Sequence, residues 1–232
     1  GAVLALFFNL AIGLLPVAAF LGATITMYMV YALAKIHGRV SNSNLLLSGV
    51  IVGAVFSSLL LFFVSISPNE AMHGITWWLL GSLQVYNARL IVAVSVLIVA
   101  SIAVAFYFSR DLNAISLGEE EAHHLGIDVE GVRKILFIVA SLITASIVCV
   151  CGIIGFVGLI VPHAMRLLLG SDNRILIPSS ALAAAVFLIL ADTLSRILMP
   201  PLEIPLGVIT ALIGGPVFIF LLRKKQATPF RL

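Results

Sequence analysis

The segment GFVGLIVPHAMRLLLGSDNR, residues 155–174, places Pro162, His163 and Arg166 inside an otherwise apolar run. Each type carries chemistry. Histidine moves protons or binds metals, arginine binds anions, and proline removes a backbone donor. Pro162 cannot donate to the Gly158 carbonyl and its ring crowds that position, so the sequence predicts a helix that kinks or breaks there. His163 is placed for a local hydrogen bond, and Arg166 for reaching a polar interface from near the helix end. No carboxylate, thiolate or hydroxyl accompanies them in a metal-binding or nucleophilic pattern, so the trio does not read as an active site.

The remaining reactive residues are equally spare. His123 and His124 are adjacent, so on a helix they diverge by about 100°, whereas zinc pairs use an i, i+4 spacing that is absent here. Cys149 and Cys151 are two apart and point to opposite helix faces, which reads as small buried hydrophobes. No G-x-x-x-x-G-K-[ST] motif offers a phosphate cradle. Asp192 and Arg196 stand at i, i+4 and predict an intrahelical ion pair.

The elements that carry these residues follow from composition. Of 232 residues, 62% are hydrophobic and only 10% charged. A soluble domain has nearer a quarter charged, so this surface must face lipid. The net charge of +3 gives no reason to expect nucleic acid. Apolar runs predict spans at 1–13, 15–34, 45–66, 89–108, 135–153, 155–170, 177–198 and 205–222, the first being the tail of a helix that begins upstream. SNSN at 41–44 supplies an N-cap, and SPNE at 67–70 a stop.

With those spans alternating, eleven of thirteen positive residues share one side, the cytoplasmic one, and the C-terminus lies there. Only Arg89 and Arg196 fall outside. Trp77 and Trp78 also lie outside, within a segment 70–81 too short to cross and expected to form an external helix or a re-entrant turn. Gly49, Gly53 and Ser57 repeat every four residues, a pattern of close helix packing, and Gly152, Gly155 and Gly158 crowd the junction of two spans. One inner loop, 109–134, is long. Within it Gly118 and Gly126 bracket EEEAHHL, about two helical turns.

The block GIIGFVGLIVPHAMRLLLGSDNR…ADTLSR followed by EIPLGVITALIGGPVFIFLL closely resembles the permease subunits of ABC importers for iron–siderophore, haem and cobalamin. The resemblance runs from Gly1 to about Lys225. It implies an all-α, polytopic bundle of ten helices, of which about eight are represented, in a single domain, 1–232. Leu117, Gly118, Glu119, Ala122, Leu125 and Gly126 match that family's L-G-E-x-x-A-x-x-L-G element, which couples the permease to its ATPase.

The resemblance further implies a homodimer, two cytoplasmic ATPase subunits holding ATP and magnesium, and an extracytoplasmic substrate-binding protein. The location would be a prokaryotic cytoplasmic membrane. The chain itself would bind no cofactor and catalyse nothing. Gly49, Gly53, Ser57, Gly207, Gly214 and Gly215 are expected near the transport path or at helix contacts, and Gly158, Pro162, His163 and Arg166 in the kinked span. Arg196, with Arg89, is expected to meet the binding protein. An ion-coupled secondary transporter is the alternative, but such a protein needs ionisable groups at mid-membrane. His163 alone lies there, with no carboxylate.

Overall fold

The computed structural model describes residues 1–8, 12–36, 39–85, 87–200 and 202–227. Nearly all of them are helical, because in lipid a backbone that does not satisfy its own hydrogen bonds is too costly to insert. A short helix α1 (Ala2–Phe7) is followed, after a 3-10 turn at Ile12–Leu14, by α2 (Leu15–Ala34). Pro16 sits at the start of α2, where its missing N–H costs nothing. The expected single helix over 1–13 is thus replaced by α1 and this turn, with residues 9–11 outside the described set.

A four-residue ribbon, β1 (Lys35–Ile36) against β2 (Arg39–Val40), turns the chain into α3 (Asn42–Ile66). Ser41 caps α3 by accepting from the Asn44 amide at 3.2 Å. Over 70–81, where the sequence leaves a helix and a re-entrant turn both open, the chain forms the helix α4 (Asn69–Leu80). α5 (Ala88–Tyr107) starts on Asn87, whose side chain accepts from the amides of Arg89 and Leu90. α6 (Ser109–Leu117) and α7 (Glu119–His124) lie in the long loop, then α8 (Val129–Cys151), α9 (Val157–Leu169), α10 (Asn173–Ile197) and α11 (Leu206–Ala227) complete the bundle.

Among the described residues five helices are long and apolar enough to cross a membrane: Leu15–Ala34, Ser43–Ile66, Ala88–Tyr107, Val129–Cys151 and Asn173–Ile197. The chain is a multi-pass membrane protein. Two further apolar helices, Val157–Leu169 and Leu206–Ile219, are shorter. α8 begins six residues earlier than expected and α10 four, because Asp128 and Asp172 cap them by accepting from the amides of Gly131 and Arg174. Pro178 is therefore inside α10 rather than at its start.

The expected span 155–170 changes most. Its helix has 13 residues, roughly 20 Å of rise against a hydrocarbon core of about 30 Å. The interruption lies at 152–156, before Pro162, and α9 runs through Pro162 without a break. Phe156 starts α9 with φ of 69°, a conformation that bulky side chains rarely adopt.

α8 packs against α2 and α5, while α10 pairs with α9 and also meets α5, α6 and α11. One small core gathers Ala2, Ala19 and Cys149 under Trp78, and a second gathers Ala191, Leu206 and Ile209. Trp78 thus fills a core, whereas Trp77 stays exposed, as a residue at a membrane interface does. Both cysteines are free.

Between the two cores, backbones meet directly. Ser82 donates its amide to the Cys151 carbonyl at 2.8 Å. A Cβ on Gly152, whose φ is 71°, would overlap the Trp78 carbonyl oxygen, and one on Gly207 would lie 2.5 Å from that of Leu80. Gly155 and Gly158, expected to share this crowding, face open space. Gly152→Ala should therefore destabilise the protein by on the order of 3 kcal/mol, combining overpacking with backbone strain. Gly155→Ala should change stability little. Thermal unfolding of the two variants in detergent measures the contrast.

Candidate functional site

Four groups of expected residues come to lie at different places in the bundle. The first is the loop of α6 and α7. Ala122 is fully buried beneath α7, while Leu117 and Leu125 are 76% and 68% exposed. α7 closes with the Ile127 amide on the Ala122 carbonyl at 3.1 Å and the Gly126 amide on that of His123 at 2.9 Å. That pair of bonds is a helix-ending motif needing a left-handed residue, and Gly126, with φ of 80°, supplies it. His123 and His124 are both exposed.

Glu119 accepts from Arg133 Nη2 at 2.5 Å, and Arg133 Nη1 donates to the Val40 carbonyl at 2.7 Å. One guanidinium thus ties α7, α8 and the β1–β2 ribbon together. A second clasp joins α6 to α10. Asn113 donates to Asp172 Oδ1 at 2.7 Å, and its own oxygen accepts from the Asn173 backbone at 2.9 Å and side chain at 2.8 Å. The coupling-type loop is therefore a braced platform with two leucines projecting from it.

The glycines divide into two sets. Gly207 and Gly214 are packing residues; a Cβ on Gly214 would stand 2.6 Å from Phe156 Cβ. By contrast Gly49, Gly53 and Gly215 meet nothing within 4 Å, and Ser57 is exposed. The four-residue repeat on α3 does not mediate packing inside this chain, since only 6% of that span is buried. It leaves a smooth, open face.

In α9, His163 is half-buried and its Nε2 has no partner among the described residues; Ser180 Oγ of α10 is in the same position. Arg166 is exposed in the last turn, where a cation complements the helix dipole. Gly158 is exposed, and its carbonyl faces the missing Pro162 donor. Among the described residues no group of three or more His, Cys, Asp or Glu could hold a metal ion.

At the opposite end from α6 and α7, a cavity of about 270 Å³ opens between α4, the end of α10 and the loop before α11. Arg196 donates to Asp192 at 2.9 and 3.3 Å, forming the expected pair. Gln84 donates to Glu203 at 2.6 Å across the same cavity. Arg89, exposed at the start of α5, does not line it.

Comparison with known proteins settles the family. The model of the FecCD transport family matches residues 1–224. The chain belongs to that family. It is 43% identical over 93% of its length to the cobalamin import system permease protein BtuC of Halobacterium salinarum, covering 57% of that protein. It is 34% identical over 90% of its length to the hemin transport system permease protein HmuU of Yersinia pestis, covering 63%. A solved structure, an inward-facing conformation of a metal-chelate type ABC transporter, superposes with a TM-score of 0.88 at 32% identity, over 97% of this chain and 71% of that one. The chain thus spans about three fifths of the length of these curated relatives.

Asn113, Arg133, Gln84 and Glu203 were not singled out from the sequence. Their partners lie 14 to 119 residues away, and no local spacing announces such contacts. Asp172 was likewise missed, although its place before α10 is a capping signal.

The Asn113 amide, the Arg174 backbone N–H and the Arg174 charge hold the Asp172 carboxyl below its ordinary value of 3.8. A lowered folded-state value stabilises the fold above the ordinary value, and that contribution is lost as pH falls through the folded-state value. Wild type should therefore exceed Asp172→Asn in thermal stability at pH 7 and at pH 5. The difference should shrink below pH 3.8. Unfolding midpoints of both proteins across that range test it.

Proposed function

We propose that this chain is the membrane-spanning permease of an ATP-driven importer, moving an iron complex, haem or cobalamin across a prokaryotic cytoplasmic membrane. The observation that carries the reading is the braced platform of α6 and α7, which presents Leu117 and Leu125 to solvent in a chain matched by the FecCD model almost end to end. Two exposed leucines beside an ion-paired support are suited to a cleft on a partner subunit. That partner is the ATPase. It holds ATP and magnesium, while this chain binds no cofactor and catalyses no reaction.

Closure of two ATPases would push both platforms, and the Arg133 and Asn113 clasps would carry that push into α8 and α10. Such a push biases the bundle between two packings, which is alternating access. The open α3 face at Gly49, Gly53 and Ser57, together with Gly215, suits close approach of a second copy with the path between them. The cavity around Arg196 and Glu203 suits a substrate-binding protein on the outer side.

Leu125→Asp in the full-length protein should leave insertion and folding intact. It should reduce both co-purification with the ATPase and substrate uptake into vesicles by about tenfold or more, as loss of a buried anchor does. Normal uptake at normal expression would overturn the coupling assignment. Arg196→Glu tests the other end. It should slow association of the binding protein several-fold, most at low salt, because charges at a rim act chiefly on encounter. If folding of the permease suffers while association is unchanged, Arg196 serves only its pair with Asp192.

A further inference from the structure

α5 ends at Tyr107, the chain bends at Phe108, and α6 sets off beside the first turn of α10. A hollow of about 640 Å³ lies in that corner. Its two halves differ in chemistry. One wall is the end of α5, Ala103, Phe106 and Tyr107; the other carries Arg110 from α6 and Arg174 from α10, with Asp111 between the elements.

Arg133 and Arg196 are held by Glu119 and Asp192, whereas neither Arg110 nor Arg174 forms an ion pair among the described residues; the Arg174 charge acts on Asp172 only at longer range. Asp172, the other nearby carboxylate, is occupied by Asn113 and by its capping role. Two cations and one lining carboxylate leave the hollow with a net positive charge.

The apolar wall continues away from the hollow. Val92, Val96, Val99, Ala103 and Phe106 recur at spacings of four and three, so they form one stripe along α5. All five are exposed, Val99 at 66% and Phe106 at 48%. From Phe106 back to Val96 the helix rises about 15 Å, half of a hydrocarbon core of ~30 Å. Tyr107, 78% exposed at the polar end of this stripe, stands where amphipathic rings sit at a membrane surface.

A soluble anion would use the arginines and ignore the stripe, and an apolar partner helix would bury the arginines against nothing. One molecule uses both. We propose that the hollow binds an anionic glycerophospholipid of the inner leaflet, its phosphate on Arg110 and Arg174 and one acyl chain along the stripe from Phe106 to Val96. Basic pockets between membrane helices on the cytoplasmic side are suited to such headgroups, and guanidinium matches phosphate in charge and shape. The inner-leaflet placement rests on the orientation proposed above. Because Arg110 begins α6 and Arg174 begins α10, the lipid would join the same two elements that Asn113 clasps, making the platform sensitive to bilayer composition.

The test is lipid binding to the delipidated full-length protein, followed by native mass spectrometry and by the thermal midpoint. Phosphatidylglycerol should bind and raise the midpoint, and phosphatidylcholine should do so far less. Arg110→Gln and Arg174→Gln should each weaken phosphatidylglycerol about fivefold, the fold-change that corresponds to ~1 kcal/mol per basic residue near an anionic surface. Arg223→Gln, an equal charge change at the exposed end of α11, should not. Equal binding of the two lipids, or full affinity in the double variant, overturns the proposal. So does competition by glycerol phosphate at matched concentration, which would mark a soluble-anion site. Loss of ATPase co-purification with lipid binding unchanged would also overturn it, assigning the arginines to the partner. Lipid selectivity is read without transport, so a protein that binds lipid as expected but imports nothing leaves this site standing and removes only the importer reading.

Discussion

In lipid a backbone carbonyl has no water to turn to, and this bundle is organised around the place where helices stop supplying partners. At the seam between α4, the 152–156 segment and the start of α11, carbonyls of Trp78, Leu80, Cys151 and Ile153 are approached by other backbones. At Gly81, Gly152 and Gly207 only a residue without a side chain permits this. Gly152 and Gly207 let non-helical chain persist at membrane depth because it is covered by protein. Without that seam α9 could not begin where it does, and the two small cores on either side of it would separate.

The bundle has few deeply buried side chains, and apolar burial drives helix association weakly in a solvent as apolar as leucine. Its specificity therefore comes from close contacts and polar clasps near the ends. Gln84 on Glu203 and the Ile204 amide on the Ser195 carbonyl hold one end. Arg133 and Asn113 hold the other, where α6 and α7 would otherwise be a loose loop. α10 spans between these ends, clasped by Asn113 at its first turn and carrying Arg196 in its last. A rigid element fixed at both ends can carry displacement from one face of a membrane to the other.

The same arrangement explains which surfaces remain for partners. Ala122 and Gly214 are buried against their own chain, and Gly207 packs against the Leu80 carbonyl. Leu117, Leu125 and the α3 glycine face are left uncovered, although each is apolar. On a lipid-facing surface apolar exposure is ordinary, so the α3 face is distinguished by its smoothness rather than its polarity. The two leucines are the sharper signal, because they stand exposed on a platform held by polar clasps.

The sequence by itself determined the membrane class, the helical architecture, the two turns between Gly118 and Gly126, and the Asp192–Arg196 pair. All rest on local rules: hydrophobic length, capping residues, glycine at a helix end, and i, i+4 spacing. Tertiary structure decided the rest. It kept α9 unbroken through Pro162, because a proline inside a helix forfeits one bond, and it made the junction expected between two spans into a non-helical stretch at 152–156, with Gly152 and Phe156 at positive φ. It separated glycines that pack from glycines that lie open, since that distinction depends on which neighbour stands opposite. It also gave Arg133, Asn113 and Glu203 their roles, because their partners are distant in sequence and only the folded bundle brings them within hydrogen-bonding reach.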